Sequence, residues 1–323
     1  MAAIELQELT TRVPVLIAGW PGMGQVGVGA AEYLRRKLKA TLFAKIDVAG
    51  YYVPESIAVK AGLGRMPDPP SQSLYLAGEL PLFIFEGDTQ LSGETGLKVA
   101  GELLDVCLKH GVETVYTGAA FAMPMSFRQP VEVLGVATNE RLKARFPALG
   151  VEPLSEGSIS GLNGLLLGLA DLRGMAAACF LATMPQYAIE APNPKASKAV
   201  IEVFQRILNT SVDMTEIDSA IRETDRMLGE FESRVTAAIR EFRQRIESRG
   251  GPGEPSDEGE PEERPEPPEL MARIEELFEE AQRDRAKAII LKQELDRWGL
   301  FHLYEDRFLD LFGKKQTGPG PEE

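Results

Sequence analysis

The stretch "VLIAGWPGMGQVGVGAAEYLRRKL", residues 15–38, decides how the rest of the chain is read. It opens with an apolar run, "VPVLIAGW", that suits a buried strand, and closes with "QVGVGAAEYLRRKL", whose spacing predicts a helix. Between them Gly22, Gly24 and Gly27 satisfy G-x-G-x-x-G. Strand, glycine turn and helix in that order are what a dinucleotide fingerprint requires. Asp47 closes the next strand candidate, "TLFAKIDV", where a ribose-binding acid would stand. Two features oppose that reading. Trp20 and Pro21 crowd the turn that has to bring backbone against a pyrophosphate, and Gly29 prolongs the run of small residues onto the helix. A small-residue helix face is what close packing of helix on sheet demands, with or without a ligand. The preferred reading is a turn built for tight packing, with no cofactor. A phosphate-binding P-loop is excluded, since no Lys-Ser/Thr pair closes the loop.

Working outward, apolar strands alternate with helical patterns as far as about residue 212. "SLYLAG" and "LPLFIFEGD" read as neighbouring strands, and "TGLKVAGELLDVCLKHG" as a helix ending at Gly111. "VETVYTGAAFA" reads as a strand, "NGLLLGLADLRG" and "MAAACFLATM" as helix then strand, and "PKASKAVIEVFQRILN" as a helix. This grammar predicts an α/β core over residues 1–215, with a mostly parallel sheet covered on both faces.

Residues 216–249 follow as one long helix. Ile221, Leu228, Val235 and Phe242 recur every seventh residue, with Ile217, Thr224, Phe231 and Ala238 interleaved. The pattern is a coiled-coil-like seam weakened by Thr224 and Ala238, and Leu228, Phe231, Val235 and Phe242 are the candidate interface stripe. Residues 250–269, "GGPGEPSDEGEPEERPEPPE", are expected to be a disordered linker, being rich in proline and acid and lacking aromatics. A helical tail is expected over 270–313, with Leu270, Ile274, Leu277, Phe278 and Ala281 on one face, and a frayed end over 314–323. The greasy side of that tail has to dock, and the long helix before the linker is the natural seat.

Three loops hold candidate ligand-binding residues. Glu86, Asp88 and Gln90 in "FIFEGDTQLSGETG" follow a strand, and the ends of parallel strands face the crevice where ligands usually lie. Ser158, Ser160 and Asn163 sit at a glycine-rich helix entry, whose free N–H groups attract anions. Arg128 lies in a proline-bounded loop and would neutralise an anionic ligand there. For each group the plainer reading is a helix cap or a solvated side chain. With His110 and His302 as the only histidines, a histidine-rich zinc site is excluded. Cys107 and Cys179 sit in apolar runs and read as buried thiols.

The formal net charge is -14, which disfavours nucleic acid as a partner. The apolar region at 161–184 is interrupted by Asp171, Arg173 and Gly174, so no membrane span is expected. The start "MAAIELQELTTRVP" lacks the basic and apolar regions of a secretory signal, and a cytoplasmic protein is expected.

In order along the chain, "AGWPGMGQVG", "EGDTQ", "EVLGVATN", "GSISGLNGLLLGLA", "FLATMPQY", "PNPKAS" and "VDMTEIDSAI" resemble the proteasome assembly chaperone 2 family over about residues 10–240. The resemblance implies a three-layer α/β/α domain laid out like purine nucleoside phosphorylases, and homo-oligomers. Its eukaryotic relative is half of a heterodimeric chaperone that assembles the proteasome α-ring, and some archaeal relatives bind proteasome particles. Such docking commonly uses a C-terminal hydrophobic-Tyr-any tail; this sequence closes on "GPGPEE" and departs from that pattern. The likeness to phosphorylases is one of fold, which does not carry chemistry, and no catalytic residue is transferable because the family has no agreed set. Two functions remain as expectations. One is a non-catalytic interaction protein whose partners are its own copies and a protein complex such as the proteasome. The alternative is a small-ligand enzyme or sensor that binds a nucleotide, nucleoside or phosphate where the three loops meet.

Overall fold

Five consecutive residues, Val15–Gly19, form the strand around which the chain winds. The computed structural model describes residues 1–54, 56–249 and 266–313, without the side chains at 242, 243, 245–249 and 313. In chain order the elements are β1 (Ala2–Glu5), β2 (Val15–Gly19), α1 (Val26–Lys37), β3 (Thr41–Asp47), β4 (Ala58–Lys60), β5 (Leu63–Arg65), β6 (Gln72–Leu76) and β7 (Leu82–Gly87). There follow α2 (Gly93–Lys109), β8 (Thr114–Met123), β9 (Val133–Ala137), α3 (Glu140–Lys143), α4 (Phe146–Leu149), β10 (Glu152–Pro153), α5 (Gly161–Asp171), β11 (Ala176–Pro185) and α6 (Pro194–Leu208). The last helices are α7 (Thr215–Arg249), α8 (Pro267–Arg283), α9 (Ala288–Arg297) and α10 (Phe301–Gly313).

The chain divides into two compact units. The first comprises residues 1–122, 130–184 and 188–224. It is built on a nine-stranded sheet ordered β1-β3-β6-β7-β2-β8-β11-β9-β10. The centre of the sheet is parallel, β2 lying between β7 and β8 in register Ile17↔Ile84 and Ile17↔Tyr116. Antiparallel pairs carry it outward through β7–β6, β6–β3 and β3–β1 on one side and β11–β9 on the other. Helices α1 and α6 pack together, as do α2 and α5. The expected α/β/α class with a large central sheet is borne out.

Both faces of the centre are apolar, as strands covered on two sides must be. On one face Leu16, Ala18, Trp20, Phe83, Phe85 and Val115 join α2 and α5 in a single core. The alternate residues Ile17, Ile84, Tyr116 and Phe180 are also buried, and Gly27 of α1 and Val200 of α6 meet Gly118 of β8 on this second face. Each fully buried Leu, Ile or Phe contributes roughly 1.5–3 kcal/mol.

The glycines of the opening turn explain how closely α1 approaches. A Cβ on Gly27 would lie 2.1 Å from the carbonyl oxygen of Gly118, and one on Gly19 would lie 2.6 Å from the carbonyl oxygen of Gly27. Helix backbone therefore rests on strand backbone, with no room for a side chain between them. Gly24 has a different role. Its φ of +58° turns the chain into α1 through a short 3-10 turn at Met23–Gln25.

Several elements carry little signal in sequence. β1 is four residues with half-exposed alternation, β10 is two residues, and α3 and α4 are single turns. β4 and β5 form a separate two-stranded ribbon joined at Ala61 and Gly62, both with positive φ.

The second unit comprises residues 123–129, 185–187 and the described residues from 225 onward. Its tail helix begins at Pro267, three residues ahead of the expected start. Glu266 and Glu269 form a capping box there, and proline occupies the first turn, where its missing N–H costs nothing. The linker expected over 250–269 lies outside the described residues as far as 265, as does the frayed end at 314–323. Leu270, Met271, Ile274, Phe278, Leu291, Leu295 and Leu300 form the interior, with Val235 of α7 fully buried.

Replacing Gly27 by Ala drives a methyl group into the Gly118 carbonyl and should cost about 3 kcal/mol. Gly22 has extended φ, and a methyl group added there would come no nearer than 3.9 Å to any neighbour, the closest being Asn163 Nδ2. Gly22→Ala should therefore stay within about 0.5 kcal/mol. Urea unfolding of the two variants measures the contrast.

Candidate functional site

In open α/β sheets the crevice forms where neighbouring strands send their connections to opposite faces. Here that place is the carboxyl end of β2 and β7, since β2 leads into α1 on one face while its parallel neighbour β7 leads into α2 on the other. Of the sequence candidates, Gly22, Gln90 and Asn163 do converge there, and Gln90 and Asn163 help to build a closed seam.

Asn163, in the first turn of α5, is buried. Its Oδ1 accepts from the Trp20 N–H at 3.0 Å and its Nδ2 donates to the Trp20 carbonyl at 3.0 Å. The side-chain amide thus pairs both main-chain groups of one residue, as a neighbouring strand would. Thr117 of β8 donates its hydroxyl to the Asn163 carbonyl at 2.8 Å. One residue stitches β2, β8 and α5 together.

Gln90 completes the seam. It donates to the Pro21 carbonyl at 3.0 Å and accepts from the Leu162 N–H at 2.6 Å. That N–H belongs to the start of α5, the group an anion would seek. A Cβ on Gly161, whose φ is +75°, would lie 2.1 Å from the Gln90 oxygen, so glycine is required at this point. Trp20 is fully buried and its indole N–H donates to Gln72 at 2.9 Å, while Gln72 donates to the Thr89 carbonyl at 3.1 Å. The turn amides are engaged as well: Gly24 N–H donates to the Ile189 carbonyl at 2.7 Å and Gln25 N–H to the Gly22 carbonyl at 2.8 Å. Trp20, Gln72 and Thr117 carry this closure, and of these only Trp20 stands out in the sequence.

The other candidates stand elsewhere. Glu86 pairs with Arg35 at 2.7 Å, and burial holds its carboxyl above the usual range despite that partner. Asp88 accepts from the Ser71 N–H at 2.8 Å. Ser158 and Ser160 are exposed, and Ser160 occupies the N-cap position of α5 without a side-chain bond. The two thiols are fully buried in apolar surroundings, which pushes Cys179 up to about 12 and Cys107 higher. A separate groove of about 310 Å³ runs beside Gly24, Tyr33 and Arg36. Its polar walls are engaged: Tyr33 donates to the Asp213 carbonyl at 2.8 Å and Arg36 pairs with Glu216 at 2.7 Å. Among the described residues no group of three or more His, Cys, Asp or Glu is placed to hold a metal ion, and no helix is long and apolar enough to cross a membrane.

Arg128 belongs to the second unit. It pairs with Glu232 of α7, a buried carboxylate that also accepts from Ser126 at 2.8 Å and from Tyr187 at 2.5 Å. The cluster ties two separated segments to one helix. The α7 stripe is engaged in this unit too. The Phe231 ring meets Tyr304 at 6.0 Å and Tyr187 at 6.3 Å, and Leu228 is half-buried. Ile239, which the heptad spacing omits, is buried beside Val235 along the helix. The Phe242 side chain lies outside the described residues. On the tail, Glu275 is buried and receives Arg307 through two bonds of 2.6 and 2.7 Å, with the guanidinium 4.2 Å above the Phe278 ring.

The fold so defined is an α/β/α sandwich whose crevice is closed by its own side chains. Residues 16–232 match the PAC2 family, and the chain belongs to that family, the proteasome-assembly-chaperone group that the sequence motifs resemble. An uncharacterised protein of Methanocaldococcus jannaschii is 28% identical over 216 residues, covering 66% of this chain and 81% of that one. The crystal structure of Pyrococcus furiosus PbaB, an archaeal proteasome activator, is 27% identical with a TM-score of 0.61, covering 72% of this chain and 98% of its own. Pyrococcus furiosus PbaA, an archaeal homologue of a proteasome-assembly chaperone, shares the fold at 24% identity and a TM-score of 0.59, over 77% of this chain and 99% of its own. The family match ends at residue 232, so α8 to α10 lie beyond it.

Removing the Asn163 amide strands the buried Trp20 N–H and carbonyl, and Asn163→Ala should cost about 2–3 kcal/mol, against about 1 kcal/mol for Gln90→Ala at the exposed rim. Glu232→Ala should cost about 3 kcal/mol by orphaning its donors. Thermal and urea unfolding read all three.

Proposed function

We propose that this chain is a non-catalytic, proteasome-assembly-chaperone-like interaction protein that associates with its own copies and with a protein complex of the proteasome type. One observation carries the reading. At the sheet position where α/β proteins usually hold a ligand, Trp20, Gln72, Gln90, Thr117 and Asn163 spend their hydrogen bonds on one another and on main chain. A ligand entering there would have to break those bonds, and each buried group left unpaired costs about 1–3 kcal/mol. Membership of the PAC2 family and the likeness to PbaB support the same reading.

On this account recognition is by surface complementarity. Exposed apolar side chains provide the attraction, and the acidic surface selects the partner and speeds the encounter. The expected cytoplasmic location belongs with this proposal.

Two measurements test it together. Purification from native extract, with mass spectrometry of the co-eluting proteins, should recover proteasome subunits. A thermal-shift series with NAD, ATP, nucleosides and inorganic phosphate should leave the melting temperature unmoved. Marked stabilisation by any of these ligands, with no protein co-eluting, would overturn the proposal in favour of a ligand-binding enzyme or sensor.

A further inference from the structure

The motif "PNPKAS", residues 192–197, has no part in the sealed crevice, yet it meets the opening glycine turn. Asn193 N–H donates to the Gly24 carbonyl at 2.8 Å, and a Cβ on Gly24 would lie 3.1 Å from the Asn193 Cβ. Beside this junction runs the groove of about 310 Å³ already described. Its lining belongs wholly to the first unit and includes Ile217 and Ala220 from the start of α7.

Two polar side chains of the lining are buried: Asn193 is 6% exposed and Ser197 5%. Asn193 caps α6, its Oδ1 accepting from the Ala196 N–H at 2.9 Å. A main-chain N–H meets only an acceptor, so this bond settles which end of the amide is oxygen. Nδ2 is the other end, and it donates to no described residue. Ser197, one turn on, reaches the Val26 carbonyl only at 3.4 Å, near the limit of a hydrogen bond. At the exposed edge of the groove the Gln25 carboxamide also has no partner among the described residues. Folded chains pair nearly all their buried polar groups, so a buried donor left open inside a groove marks a place for an acceptor from outside.

Charge and shape narrow the ligand. Arg36 lies 2.7 Å from Glu216 and 3.7 Å from Glu32, so an anion would have to part it from those carboxylates. A neutral acceptor has no such obstacle. Ile217, Ala220 and Pro194 offer apolar contact beside the open donor. The volume stands at the small end of ligand cavities, which start at about 300 Å³. A donor inside and a carboxamide at the edge suit a group that presents a carbonyl and an N–H together, as a peptide bond does. We propose that this groove binds a short neutral peptide segment of a partner protein. One main-chain carbonyl of the segment accepts from Asn193 Nδ2, a neighbouring N–H meets Gln25, and a small apolar side chain lies beside Ile217 and Ala220. The proposal rests on the interaction reading above and names one place where a partner is held.

The test uses the full chain and the blocked residue N-acetyl-leucine N-methylamide as probe, followed by saturation-transfer NMR. Wild-type protein should bind it saturably with a dissociation constant on the order of 1 mM, and should bind the anionic analogue N-acetyl-leucine more weakly. Asn193→Asp keeps the cap of α6 but replaces the open donor by an acceptor, and should weaken the probe at least about tenfold with little change in melting temperature. Ala220→Trp, at an exposed position of α7, fills the groove and should abolish binding. Both variants should also lose the protein that co-elutes with wild type from native extract. The proposal is overturned by wild-type protein that shows no saturable binding, by an Asn193→Asp variant that binds as wild type does, or by preference for the anionic analogue. Variants that lose the probe but keep the co-eluting protein overturn the groove as its seat and leave the interaction reading standing. Failure of that reading is a separate result: the probe binds but no protein co-elutes with wild type, which overturns a partner protein as the source of the peptide.

Discussion

Backbone resting on backbone is the constraint from which the first unit is built. Gly27 of α1 lies against Gly118 of β8, and Gly19 of β2 against the carbonyl of Gly27, at separations that admit no Cβ. A helix brought that close leaves no layer between itself and the sheet. The same glycines that imitate a dinucleotide fingerprint are consumed by packing. The turn before them is fixed by bonds running outward, from Gly24 to Ile189 and from Asn193 back to Gly24.

That closeness also sets what happens at the end of β2. The strand's next residue, Trp20, turns its indole into the core against Phe85, with ring centroids 4.8 Å apart, and leaves its main-chain groups to Asn163. Polar side chains that elsewhere in such folds converge on a ligand here converge on each other. On the proposed function, a PAC2-family chain with its crevice sealed in this way would recognise its partners through surface shape and charge. The exposed ribbon at residues 58–65 belongs to that surface.

Much of this is legible in the sequence, and the reasons differ by residue. The central strands and the helices α1, α2, α5, α6 and α7 show themselves because burial on two faces, or on one helix stripe, imposes long runs and regular spacing. The close packing at Gly27 is also readable, since Gly29 prolongs the run of small residues onto the helix. Convergence of the loops around Gln90 and Asn163 follows from their places after a strand and at a helix entry. Their mutual satisfaction does not, because a hydrogen bond between residues 72 positions apart leaves no local trace. Arg128 misleads for the same reason: its partner Glu232 is 104 positions away. β9 lies antiparallel to β11 and β1 is too short for a period to develop. In α7 the heptad marks Val235 correctly as inward-facing, while Ile239 falls four residues on, where a 3.6-residue helix keeps the same side.

Buried carboxylates organise the second unit as the glycines organise the first. Glu232 and Glu275 are each enclosed and each met by an arginine, Arg128 and Arg307. Such pairs add little net stability over apolar packing but penalise any arrangement that separates them. The account as a whole turns on whether the amides at the end of β2 are already spent. Native-state hydrogen exchange at Trp20, Gly24 and Leu162 measures this directly. Exchange as slow as in the central strands, unchanged by adding NAD or ATP, is the predicted result; fast exchange that slows only when a nucleotide is added would contradict it.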